Sequence, residues 1–181
     1  MPIDAAKPFD SSAKADAVLR SSDSVDFYVI GPLLSTVSPI FDDMFSLTRP
    51  GVQQEITNNG LPVVPLSESS KILQFLLCLI YPYIDKPELI DGELFAAVCL
   101  AARKYGMDLV EGKLKKMVLA SSLIKEEAFR IYSIAVRMGA EWNSVAVTAA
   151  QNTLTIPLKS LPLLPELHWI TGGDLYHYVQ W

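Results

Sequence analysis

The octet Ser38-Pro39-Ile40-Phe41-Asp42-Asp43-Met44-Phe45 constrains this chain more than any other stretch. Ser38 is a strong N-cap, and Pro39 suits the first helical position, where its missing N–H costs nothing. Asp42 and Asp43 lie close enough to the positive helix end to be favoured there. Ile40, Phe41, Met44 and Phe45 recur at the three- and four-residue spacing of a helix with one buried face. A hairpin pattern precedes the octet, residues 17–21 and 26–30 around the polar turn Ser22-Asp23-Ser24, followed by a short helix over 32–36.

Downstream, residues 48–60 form a polar loop punctuated by Pro50-Gly51 and Asn58-Asn59-Gly60. Val63 and Val64 lie between Pro62 and Pro65, which predicts a very short edge strand. Ser67 is the expected cap of the next helix, whose Leu73, Phe75, Leu76 and Leu79 leave hardly a polar side, so it is central. Asp91 is the candidate N-cap of a helix over 93–105, and Gly106 fits its C-terminal end. A helix over 108–120 turns Val110, Leu114, Met117 and Val118 inward and Lys113, Lys115 and Lys116 outward. Phe41, Phe45, Phe75, Leu76, Leu79, Val98 and Ala102 are expected to share one core.

Two further helices span 125–138, stopped by Gly139, and 141–153 with Trp142, Val145, Ala146 and Ala149 buried. Pro157, Pro162 and Pro165 keep residues 156–167 from being regular, while Leu158, Leu161, Leu163 and Leu164 demand burial, so this stretch reads as a strap across the core. A last helix, 174–180, follows the breaker Gly172-Gly173. Residues 1–15 offer only Ile3 and Phe9 for burial and read as a flexible N-terminal arm.

Half of the 181 residues are hydrophobic and 19% are charged, enough core material for one domain with an extension. The net charge of −5 argues against a nucleic-acid surface, which needs concentrated Lys and Arg. No apolar run reaches the ~18 residues of a membrane span. The first sixteen residues lack a signal-peptide core, so an intracellular chain, cytoplasmic or nuclear, is expected. Cys78 and Cys99 have apolar neighbours and read as small core hydrophobes.

The residues of catalysis are missing from the pattern. His168 and His177 are the only histidines and lack metal-ligand spacing. There is no Gly-Xaa-Ser-Xaa-Gly elbow and no Gly-rich loop between strand and helix. Asp42-Asp43 and Glu126-Glu127 are adjacent pairs whose side chains diverge by about 100° on a helix, so they compensate helix dipoles rather than converge on a substrate. The expectation is no catalytic site, no metal and no cofactor.

Taken in order, Ala15-Asp16-Ala17-Val18-Leu19, Phe27-Tyr28-Val29, Leu33-Leu34, the octet, Leu61-Pro62-Val63-Val64-Pro65-Leu66, Leu79-Ile80-Tyr81-Pro82 and Leu100-Ala101-Ala102-Arg103-Lys104-Tyr105-Gly106-Met107 resemble a BTB/POZ domain. The tail resembles the extension of stand-alone fungal members. The resemblance implies an α+β fold: a helical cluster capped by a small sheet over 16–120, with residues 121–181 a helical C-terminal extension packed on it. It also implies a non-enzymatic protein–protein interaction module, either a substrate adaptor for a cullin-type ubiquitin ligase or a self-associating, homodimeric scaffold of structural or transcription-related kind. An enzyme with an unrecognised site is the remote alternative.

The docking surface implied is the Met44-Phe45 helix end, Val52 and Glu55 in the loop, and Tyr81 and Tyr83 in the connector. The chain departs from the family at three places. Ile30 and Gly31 stand where a His and a basic residue are common, and Arg49-Pro50-Gly51 stands where cullin-binding members place a hydrophobic residue, any residue and Glu. The N-terminus is also shorter than that of strand-swapped dimers.

Overall fold

The computed structural model describes residues 2–46, 60–89, 91–153 and 163–180. The expected loop over 48–59, with Val52 and Glu55, and most of the expected strap over 156–162 lie outside the described residues. The chain divides into two compact units: Met1–Pro87 with Ala101–Val110, and Glu88–Leu100 with Glu111–Trp181.

In the first unit the hairpin is β2 (Ala17–Arg20) against β3 (Val25–Val29), antiparallel with Leu19 opposite Phe27 and Arg20 opposite Asp26. Arg20 and Asp26 form a two-point ion pair at 2.6 and 2.9 Å, a favourable cross-strand match. The turn closes through Ser24 at φ 62°, with the Val25 N–H donating to Ser21 Oγ at 2.9 Å. β4 (Val63–Pro65) pairs in parallel with β2 at the sheet edge, as its flanking prolines require.

Residues 2–13, read from sequence as part of a flexible arm, are instead laid on the sheet. β1 (Ile3–Asp4) pairs in parallel with β3, and the Tyr28 N–H donates to the Phe9 carbonyl at 2.9 Å. Phe9 is buried against Phe27 and Tyr81. One well-placed aromatic supplies what the polar composition of the segment conceals, since full burial of a Phe side chain contributes about 1.5–3 kcal/mol. Val18, Tyr28 and Val63 form a small cluster covered by Ala13, Ala15 and Leu61.

α1 (Gly31–Val37) and α2 (Pro39–Ser46) follow the sheet. Ser38 caps α2 as expected: its Oγ accepts the Phe41 N–H at 3.0 Å and donates to the Tyr105 carbonyl at 2.6 Å. Phe41 stacks on Tyr105 with ring centroids 4.7 Å apart. α3 (Ser70–Ile80) is buried along nearly its whole length, including Phe75, Leu76 and Leu79. Ser67 is not its cap. Asp23, from the hairpin turn, accepts the Ser70 N–H at 2.7 Å and the Ser70 hydroxyl at 2.6 Å. Ser67 instead binds Glu68 and Lys104.

α4 (Gly92–Lys104) and α5 (Asp108–Ala120) contribute residues to both units. The turn between them is Gly106 at φ 62°, where the Gly106 N–H donates to the Arg103 carbonyl and the Met107 N–H to the Ala102 carbonyl.

In the second unit Asp91 caps α4, accepting the Glu93 N–H at 2.8 Å and the Leu94 N–H at 3.3 Å. Trp142 is fully buried beside Phe95, its Nε1–H donating to Glu111 Oε2 at 3.1 Å. Lys115 stands over the Trp142 ring, so this lysine, expected outward, covers an aromatic face. The helix expected over 125–138 is broken at Glu127 (φ −121°, ψ 38°) into α6 (Leu123–Glu126) and α7 (Ala128–Met138). Glu127 leaves helical geometry where its carboxylate accepts the Gly92 N–H and pairs with Arg130.

A 3₁₀ turn (Ala140–Trp142), α8 (Asn143–Thr153), a second 3₁₀ turn (Pro165–Trp169) and α9 (Gly172–Gln180) complete the unit. Gly172-Gly173 opens α9 rather than breaking a helix: Asp174 Oδ2 accepts the Thr171 N–H and hydroxyl, each at 2.7 Å, and the Asp174 N–H donates to Thr171 Oγ1 at 3.2 Å. Tyr178 packs on Phe129 and Tyr132.

Candidate docking surface

α2 ends in the open. Phe41 is buried and turns the helix inward, so Met44, 36% exposed, and the half-buried Phe45 fall at its outer rim. Phe45 was expected in the core; it lies instead in the wall of a cleft of about 480 Å³, with Met44, Asp16, Gly31 and Asp42. Geometry explains the difference, since Phe45 stacks on Phe41 at 6.0 Å while about two turns of helix separate it from the capped end.

The Oδ1 of Asp16, just before β2, accepts the Gly31 N–H at 2.6 Å. A Cβ at position 31 would stand 3.3 Å from that oxygen and 3.5 Å from the Phe45 ring. Gly31 thus lets the carboxylate reach backbone where the resemblance led one to look for a basic side chain. Asp16 was marked by the resemblance as one side of a charged pocket; Pro32 and Ser35, which join it in the cleft from α1, carried no such signal in the sequence.

The connector tyrosines are placed elsewhere. Tyr81 is buried, packs edge-on against Phe9, and its hydroxyl oxygen accepts the Ile30 N–H at 2.8 Å. Burial holds its phenol pKa above the ordinary value. Tyr83 is 69% exposed and borders a second cleft, of about 270 Å³, with Lys14, Tyr28 and Tyr81. The structure therefore brings Met44 and Phe45 together in one cleft and Tyr81 and Tyr83 together in another. Val52 and Glu55 lie outside the described residues.

Glu68 and Tyr105, both buried, meet the exposed Lys104 in a polar cluster of this unit. Burial pushes the Glu68 carboxyl up, but hydrogen bonds from Lys104 (2.7 Å) and the Tyr105 hydroxyl overcome it, and the net shift is downward. Burial and then the Glu68 charge push the Tyr105 phenol well up. Glu68 accepts hydrogen bonds from Ser67, Lys104 and Tyr105, so this cluster ties the residues after β4 to the C-terminal end of α4. Among the described residues no group of three or more His, Cys, Asp or Glu is arranged to hold a metal ion, and Cys78 and Cys99 are buried free thiols. No described helix is long and apolar enough to cross a membrane.

A small sheet on helices, with an apolar helix end opening into a cleft, is the architecture of an α+β domain built for protein contact. The BTB/POZ domain model matches residues 6–122, and the chain belongs to the BTB/POZ family. The fold is also similar to the BTB domain of zebrafish PATZ1, at 19% identity over 61% of this chain and 80% of that one, with a TM-score of 0.45. No curated protein matches the chain by sequence. BTB/POZ domains are protein–protein interaction modules, which sets the function class of this protein.

Proposed function

We propose that this protein is a non-enzymatic docking module, acting inside the cell, that serves as a substrate adaptor on a cullin-type ubiquitin ligase scaffold. The observation that carries the reading is the Met44-Phe45 end of α2, an exposed thioether and a half-buried ring at the mouth of a cleft of about 480 Å³. Interfaces concentrate their energy in such apolar anchors ringed by polar groups, and one anchor commonly contributes about 2 kcal/mol or more. Residues 16–120 form the docking domain in this reading, and residues 121–181 its helical extension. What supports the extension is that Trp142, from beyond residue 120, buries Phe95 of α4 and binds Glu111 of α5.

The test is co-purification of a cullin scaffold with wild-type protein and with Met44→Asp. A helix-end substitution on an exposed side chain leaves the core intact, so the account expects binding by the wild type and its loss in the variant at unchanged melting temperature. Absence of cullin from the wild-type complex at micromolar concentration overturns the adaptor role. A dimeric mass in sedimentation would then favour the self-associating scaffold.

A further inference from the structure

The cleft at Met44 has a neighbour on the same face. A second cleft, of about 380 Å³, is lined by Pro39, Gly106, Asp108 and Leu109, and it shares Ser35 and Asp42 with the first. Asp42 therefore stands on the ridge between two hollows. The first contains Asp16 and the second Asp108, and neither is lined by a Lys, Arg or His among the described residues. Asp42 and Asp108 are exposed and enter no ion pair among the described residues. Beside each carboxylate lies uncovered apolar surface, Met44 in one cleft and Leu109, 67% exposed, in the other.

We infer that the α1–α2 face takes a cationic amphipathic segment of a partner protein, with Lys or Arg side chains entering the clefts on either side of Asp42 and apolar side chains resting on Met44 and Leu109. The inference deepens the docking reading and rests on it. Charge selects the occupant: three carboxylates, with no basic side chain among the described residues that line the clefts, attract a cation and repel an acidic segment. The apolar ground selects a peptide over a small cation, which would leave Met44 and Leu109 wet. A second copy of this chain, carrying a net charge of −5, meets the face with like charge overall.

The experiment is a fluorescence-anisotropy titration of the full chain with a labelled Lys/Leu amphipathic helical peptide and with its Glu-for-Lys counterpart, at low and physiological salt. The Lys peptide should bind, more weakly as salt rises, and the Glu peptide should not. Asp42→Asn should weaken binding about fivefold, the factor for losing one well-placed exposed ion pair. Glu126→Gln, the same charge change at an exposed position in the other unit, should leave it unchanged. Equal weakening by both variants means non-specific attraction and overturns the inference, as does no binding of the Lys peptide. A dimeric mass that Asp42→Asn abolishes gives the face to a second copy and also overturns it. Loss of cullin co-purification with peptide binding intact removes the adaptor role alone.

Discussion

Asp23 is a turn residue that caps a helix 47 positions away. Hydrogen bonds from the Ser70 hydroxyl, then from Ser21, hold its carboxyl at about 2, against an ordinary 3.8. A carboxyl whose folded value lies below its unfolded value takes up fewer protons when folded, so its stabilisation is complete above the unfolded value and lost as pH falls through the folded one. Urea midpoints measured from neutral pH downward should decline between about pH 5 and pH 2, and Asp23→Asn should flatten that decline. An unaltered acid profile would show that the cap does not matter. The contrast with other caps is instructive. Ser38, Asp91 and Gly106 were legible because each acts within one turn of itself, where spacing is a physical constraint. Asp23 was not, because its partner is chosen by the tertiary fold, and Ser67 was the wrong choice for the same reason.

At the scale of elements, the turn joining α4 to α5 leaves little room for a side chain at Gly106. Gly106 combines φ 62° with a Pro39 ring atom that an added Cβ would meet at 3.2 Å. Gly106→Ala should cost about 1–2 kcal/mol from the left-handed conformation alone, and the contact adds to that. A thermal melt indistinguishable from wild type would contradict this account of the turn. The apolar periodicity that placed α4 and α5 in the sequence reflects burial on one face, and Val98, Ala102, Val110, Leu114 and Val118 are buried as it predicts; in α2 only Phe41 of the expected stripe is buried, while Ile40 and Met44 are exposed and Phe45 is half-buried. It failed at Glu127, where a hydrogen bond to the Gly92 N–H pulls the chain out of a helix that periodicity reads as continuous. It failed at residues 2–13, where a single Phe9 anchors a segment with too few apolar residues to register. Within the docking surface, Met44 and Phe45 were legible as a helix end. The two clefts were not, because Asp16 and Gly31 in one and Asp108 in the other come from separate elements and share no sequence pattern.

For the molecule as a whole, the C-terminal third completes burial that the family-matched residues leave unfinished. Glu88–Leu100 and Glu111–Trp181 form one compact unit, in which Trp142 covers Phe95 and satisfies the buried Glu111. A chain ending at Ala120 loses that ring, a loss comparable to a buried Trp→Ala change of about 3–5 kcal/mol, and with it the hydrogen bond from Trp142 to Glu111. It should bind a hydrophobic dye and melt at lower temperature; a shortened chain as stable and soluble as the full one would make residues 121–181 an independent domain. The central claim, that the protein acts by docking a partner on the α1–α2 face, is tested most directly by hydrogen exchange on the chain mixed with the proposed cullin scaffold, compared with the free chain. The account predicts slowed exchange concentrated in residues 31–46, and slowing confined to residues 123–180 would contradict it.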